Sequence, residues 1–174
     1  MAVLNIHSRR LAADADQVGA LVDTLTGPHD RLWPGDRWPV ARLDGPLGVG
    51  ARGGHGPVRY RVEEYEPARR IRFRFNGSPN IDGYHEFTVT PDGDAAVLRH
   101  TLAGRPRGIT RLTWPFFYRR MHDALLEDLL DRAERELTGT VATPARWSAY
   151  VRLLRAVRAR IAPATAPPRS PVGS

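Results

Sequence analysis

A chain of 174 residues, 41% of them hydrophobic, has room for one domain of ordinary size and a short appendage. No run of about 18 apolar residues is present to span a bilayer, and the N-terminal MAVLNIHSRR lacks the unbroken apolar segment of a secretory signal, so a cytoplasmic protein is expected. Zero cysteines exclude disulfides, thiolate nucleophiles and Cys-ligated zinc.

The net charge of +7 looks like a nucleic-acid signal until it is divided along the chain. Residues 139–174 hold six arginines (Arg146, Arg152, Arg155, Arg158, Arg160 and Arg169) and no acid, which leaves 20 of the 26 basic residues against all 19 acids in 1–138, a net of +1. The main domain is therefore nearly neutral, and no nucleic-acid-binding face is expected on it.

In chain order, Val3, Leu4 and Ile6 predict a short strand. Asp14 and Gln17 have the spacing of a capping box, and Val18, Leu21, Val22 and Leu25 continue a helix that Gly27-Pro28 stops. Leu32 and Trp33 before Pro34 predict a brief second helical turn, and Trp38, Val40 and Leu43 a second strand. Gly48, Gly50 and Gly53 formally match G-x-G-x-x-G. The fingerprint needs glycines that open a helix, whereas Gly54-His55-Gly56-Pro57 and an alternating strand follow here, so the expectation is a bent strand with a loop.

From Val58 the period is two. Val58, Tyr60 and Val62 oppose Arg59, Arg61 and Glu63; after a turn at Pro67-Ala68, Ile71, Phe73 and Phe75 alternate with Arg70, Arg72 and Arg74. Closing that turn sets Val62 opposite Phe73 and Tyr60 opposite Phe75, giving an apolar face and a solvated arginine face. A further strand runs from Gly83 to Thr90. With Asp92-Gly93 as a two-residue turn, Val89 falls opposite Ala96, Phe87 opposite Leu98, and His85 opposite His100.

The long helix spans Leu112–Leu137, with Pro115 in its first turn. Tyr118, His122, Leu125, Leu126, Leu129 and Ala133 share its apolar face, and Arg120, Asp123, Glu127, Asp131 and Glu134 the opposite one. Beyond Gly139 a basic helix opens at Thr143-Pro144, its stripe being Trp147, Tyr150, Val151, Leu154 and Ile161. It either docks on the protein or a partner, docking being favoured, or makes weak contact with an anionic membrane surface through 144–161. Residues 162–174 read as a disordered Pro/Ala-rich tail. The division expected is 1–138, 139–161 and 162–174.

His85, His100 and His122 are the catalytic-type side chains that these registers turn inward, and they are the candidate catalytic residues. Buried histidines are often only packed and hydrogen-bonded; their convergence on one cavity would instead orient a carbonyl or phenol, or move a proton. Apolar neighbours disfavour the imidazolium, so neutral rings are expected. No inward carboxylate accompanies them, so no metal is expected, and nothing calls for a cofactor. His29 and His55 fall in loops and are expected in solvent. The expected cavity lining is Tyr60, Phe73, Phe75, His85, Phe87, Leu98, His100, Tyr118, His122, Leu125 and Leu129.

The strings DRLWP (30–34), GGHGPVRYRVEEYEPARRIRFRF (53–75), GYHEFTV (83–89) and WPFFYRRMHDALLEDLLDRAE (114–134) resemble the SRPBCC (START / Bet v1-like) superfamily, and within it small bacterial polyketide cyclase/dehydrase-like proteins. The resemblance covers roughly 1–138. It implies an α+β helix-grip fold: a curved seven-stranded antiparallel sheet wrapped around a long C-terminal helix, enclosing a cavity for a hydrophobic or aromatic small molecule. The function expected is a carrier or sensor of that molecule; the alternative is a cyclase, dehydratase or aromatase using cavity His or Tyr for proton transfer, and a further alternative, resting on the tail alone, is a peripheral membrane or protein adaptor acting through the basic tail helix.

Overall fold

The computed structural model describes residues 2–161, so the 162–174 tail lies outside the described residues. Seven antiparallel strands form one sheet in the order β1-β7-β6-β5-β4-β3-β2: β1 Val3–Leu11, β2 Ala41–Leu43, β3 Arg52–His55, β4 Val58–Glu66, β5 Arg70–Phe75, β6 Ile81–Asp92 and β7 Ala95–Pro106. Helix α1 (Ala15–Val22) starts on the Asp14–Gln17 capping box, and the long helix grips the apolar face of the sheet. The α+β helix-grip architecture implied by the sequence is the one observed.

The β4–β5 register follows from alternation: Tyr60 pairs with Phe75 and Val62 with Phe73. Beyond Val62 the strand bulges. On the outer face Arg72 bridges Glu64 and Glu86, and Arg74 pairs with Glu63, so the arginine row is neutralised by acids of its own sheet.

The β6–β7 register departs from expectation by two residues. Asp92 pairs with Ala95, Phe87 with His100, and His85 with Leu102. The turn is Gly93-Asp94, with Gly93 at φ +65°; glycine at the first central position is the type II′ solution, which matches the twist of the flanking strands. A shift of two preserves the faces. His85 and His100 therefore share the concave side but sit diagonally rather than opposite.

Three further elements differ from expectation. The segment after α1 makes hydrogen-bonded turns instead of a helix, because the Asp30 carboxylate accepts from the backbone N–H groups of Leu32 and Trp33. Trp38 belongs to those turns, Val40 is exposed, and β2 holds only Ala41–Leu43. The long helix begins at Thr110 (α2, Thr110–Thr113), widens into a π turn over Trp114–Tyr118, and continues as α3, Arg119–Thr138. Pro115 lacks a donor and crowds the preceding carbonyl, and the wider turn, closed by Arg119 N–H on the Trp114 carbonyl, accommodates it.

The polar face of α3 is not given over to solvent. Strand β1 turns Asn5, His7 and Arg9 inward and leaves Leu4 and Ile6 exposed. Arg9 meets Asp131 at 2.6 Å, Glu134 at 3.0 Å and Glu127 at 3.3 Å, and Asn5 Nδ2 donates to Asp123 at 2.9 Å. One edge of the grip is thus a polar seam, where burial of carboxylates is offset by direct partners.

Helix α4 (Ala149–Ile161) packs back on the body. Val151 is buried, the Trp147 indole donates to Asp128 Oδ2 at 2.9 Å, and the Arg155 guanidinium lies over both Trp38 and Trp147. Among the described residues no helix is long and apolar enough to cross a membrane.

Candidate functional site

Three elements deliver three imidazoles to one place. His85 comes from β6, stacked on Phe73 with ring centroids 4.9 Å apart and met edge-on by Tyr60 at 4.9 Å. His100 comes from β7, edge-on to Phe87 at 4.7 Å. His122 comes from the first turn of α3, its ring 5.1 Å from that of His100. His100 Nε2 and His85 Nδ1 share a hydrogen bond of 3.3 Å. His85 Nε2, His100 Nδ1 and His122 Nδ1 are buried without a partner.

Burial, the largest cause, holds His85 and His100 well below the ordinary imidazole range and pushes His122 down to about 3. Neighbouring histidines add to the effect, while Asp123 opposes it at His122. Burial, with the Asp30 charge second, raises the Tyr60 phenol. All four groups are neutral at physiological pH. Whichever neutral tautomers the His85–His100 pair adopts, one ring donates to the other, so the pair retains one unpaired donor and one unpaired acceptor.

His7, on the seam, behaves oppositely. Burial pulls its pKa down, but hydrogen bonds to Asp123 (3.1 Å) and Glu127 (2.7 Å) outweigh this and raise it. Potential ligand atoms of His7, His122 and Asp123 lie within 4.8 Å of one another, so these residues are the set that would hold a cation among the described residues. An inward carboxylate is thus present, contrary to expectation. Both His7 nitrogens are already engaged by carboxylates, which accounts for the cluster as a charged seam.

The pKa directions give a sign for acid stability. Unfolded histidines take up protons near pH 6.5, while folded His85, His100 and His122 resist until much lower pH; their contribution is whole above about 6.5 and is lost as pH falls. His7, raised, acts in the reverse sense. With three groups against one, stability is expected to drop by about 2–4 kcal/mol from pH 7.5 to 5.5, measured by urea denaturation. A flat profile would contradict the neutral cluster.

The histidines border a cavity of about 100 Å³ between sheet and helix. Of the expected lining, Phe75, His85, Phe87, His100, Tyr118, His122 and Leu125 face it, with Phe75 half-buried. Tyr60, Phe73, Leu98 and Leu129 are instead core residues packed behind that surface. Trp33, Trp38 and Pro39 from the turns after α1, and Trp114, Phe117 and Met121 from the start of the long helix, add to the wall. His55 also lines it, 4.7 Å from Trp33, and is not the solvated loop residue expected. The Gly56-Pro57 turn pairs His55 with Val58, which puts it on the Tyr60 face. That parity was readable from the sequence. His29 is exposed, as expected.

Solved structures share this fold. CalU16 from Micromonospora echinospora aligns at 19% identity over 92% of this chain and 86% of its own, with a TM-score of 0.58. A protein from Thermobifida fusca aligns at 18% identity over 77% of this chain and 92% of its own, with a TM-score of 0.60. Norcoclaurine synthase from Thalictrum flavum, in complex with dopamine and hydroxybenzaldehyde, aligns at 14% identity over 82% of this chain and 90% of its own, with a TM-score of 0.58. No curated protein matches the sequence. The family model described as polyketide cyclase / dehydrase and lipid transport matches residues 7–161, helix α4 included, and the chain belongs to that family, within the SRPBCC / Bet v1-like superfamily.

Proposed function

We propose that the protein carries or senses a small aromatic molecule bearing a hydroxyl or carbonyl group, held between the sheet and α3 and oriented by His85, His100 and His122. The observation that carries this is the set of three buried imidazole nitrogens without partners beside an otherwise apolar, tryptophan-rich wall. A buried unpaired polar atom costs roughly 1–3 kcal/mol, and a ligand that pairs with it recovers part of that cost. Ordinary ligand pockets run to roughly 300–1,000 Å³. The volume here is below the roughly 150 Å³ that holds benzene, so even a one-ring ligand must press the wall outward, and a two-ring ligand such as naphthol must displace the tryptophan rim. Norcoclaurine synthase, on the same fold, holds phenolic aromatics.

A cyclase or dehydratase would use the same histidines as proton carriers, and the His85–His100 hydrogen bond favours that reading. It ranks second because general acid–base catalysis works best with a pKa near the operating pH, and all three rings lie far below it.

Trp33, Trp38 and Trp114 face the cavity and supply the assay. Titration of tryptophan fluorescence with 2-naphthol and with naphthalene should show 2-naphthol binding at least about tenfold tighter, the equivalent of one paired hydrogen bond. Equal affinities, or binding of neither, would refute the orienting role. Turnover of a polyketide-like substrate lost in His85→Phe with binding retained would establish the enzyme instead.

A further inference from the structure

We propose that the segment 105–120, at the rim of the cavity, docks on an anionic bilayer surface. Ile109, Leu112 and Phe116 are 71%, 69% and 69% exposed, three large apolar side chains within two turns of one helical element. The opposite side of that element contributes Trp114, Phe117 and Tyr118 to the cavity wall, so one stretch of chain separates the cavity from the outside.

The segment's own charge has one sign. Residues 105–120 hold Arg105, Arg107, Arg111, Arg119 and Arg120 and no acid, all five exposed. Two of them touch carboxylates from elsewhere, Arg107 with Asp82 at 2.7 Å and Arg119 with Asp123 at 3.8 Å. Isolated apolar residues on a surface need no explanation, but apolar residues grouped on a helix and ringed by arginines match an element that lies in the headgroup layer, with aliphatic and aromatic side chains in the acyl boundary and guanidinium groups on the phosphates. The π turn at Trp114–Tyr118 falls in this stretch, and such turns are frequent at functional sites. The segment 144–161, the sequence's own candidate for membrane contact, uses Trp147 and Val151 against the body. Docking stands on this geometry alone; that it lets a hydrophobic ligand enter the cavity from the bilayer without crossing water rests on the ligand-binding function proposed above.

The test is flotation of the full chain with vesicles of equal parts phosphatidylglycerol and phosphatidylcholine, and with phosphatidylcholine alone. Binding to the anionic vesicles, weakened by salt, is expected. Leu112→Glu with Phe116→Glu should abolish it, Arg111→Gln with Arg120→Gln should weaken it about fivefold per arginine, and Leu153→Glu on the exposed side of α4 should leave it intact. Circular dichroism checks folding, and naphthol affinity in solution, unchanged by these surface variants, separates a failure of docking from a failure of ligand binding. Wild-type protein that stays with neither vesicle, or that loses binding through Leu153→Glu and not through the 112/116 pair, overturns the proposal.

Discussion

Asp128→Ala is expected to destabilise the protein by about 4 kcal/mol, chiefly the cost of leaving two indole donors unpaired at roughly 1–3 kcal/mol each. The Asp128 side chain is 1% exposed, and its two oxygens accept from Arg37 at 2.8 Å, the Trp38 indole at 2.7 Å and the Trp147 indole at 2.9 Å. One carboxylate on α3 thereby joins the turns that rim the cavity to the chain that leads into α4. Alanine removes the acceptor and leaves two indole N–H groups without it. Asp128→Asn should be milder, because an amide keeps one accepting oxygen, but its nitrogen then faces a donor. Chemical denaturation measures both, and a loss below about 1 kcal/mol for alanine would mean that water replaces the carboxylate without penalty. A matching loss of fluorescence response to naphthol would show that the rim depends on this joint.

His100→Phe is the second large effect, and it splits stability from function. His100 lies between His85 and His122, 2% exposed, with Nδ1 unpartnered. Phenylalanine fills similar space, keeps the contact with Phe87, and removes a polar atom that costs roughly 1–3 kcal/mol when unpaired. It also deprives His85 Nδ1 of its hydrogen-bond partner, which cancels part of the gain. The expected net is a protein at least as stable as wild type at neutral pH, with a shallower loss in acid because one proton-resisting imidazole is gone. Its preference for naphthol over naphthalene should fall by about tenfold. Such a trade is usual where a site is kept at the expense of the core. A variant that is much less stable and retains the preference would make His100 a structural residue.

How far the sequence could be read depended on whether a feature was local. The capping box at Asp14, the β4–β5 pairing and the outward arginine row are set by neighbours a few residues apart, and all three stand in the structure. Faces survived where registers did not: the II′ turn at Gly93 moved β7 by two residues, an even number, so His85 and His100 kept their side. The concave side of β1 was not legible, because Leu4 and Ile6, its alternating apolar residues, face outward. Only the acids that α3 brings across the sheet make Asn5, His7 and Arg9 the inward set. Most of the cavity wall was missed, its turn residues for a related reason. Trp33, Trp38 and Pro39 sit in turns with no period to read, although tryptophan beside proline, twice within seven residues, was a signal in itself.

The direct measurement on the central claim is the imidazole nitrogen spectrum of uniformly nitrogen-15-labelled protein, with the signals of His85, His100 and His122 assigned by His→Phe variants. Free protein at pH 7 should show three neutral rings with distinct donor and acceptor nitrogens, and the same rings should persist at pH 5.5 while His7 is charged. Added 2-naphthol should shift at least one of the three unpartnered nitrogens, and naphthalene should shift none of them by comparable amounts. Protonated rings at pH 7, or naphthol bound with all three histidine spectra unchanged, would contradict the account.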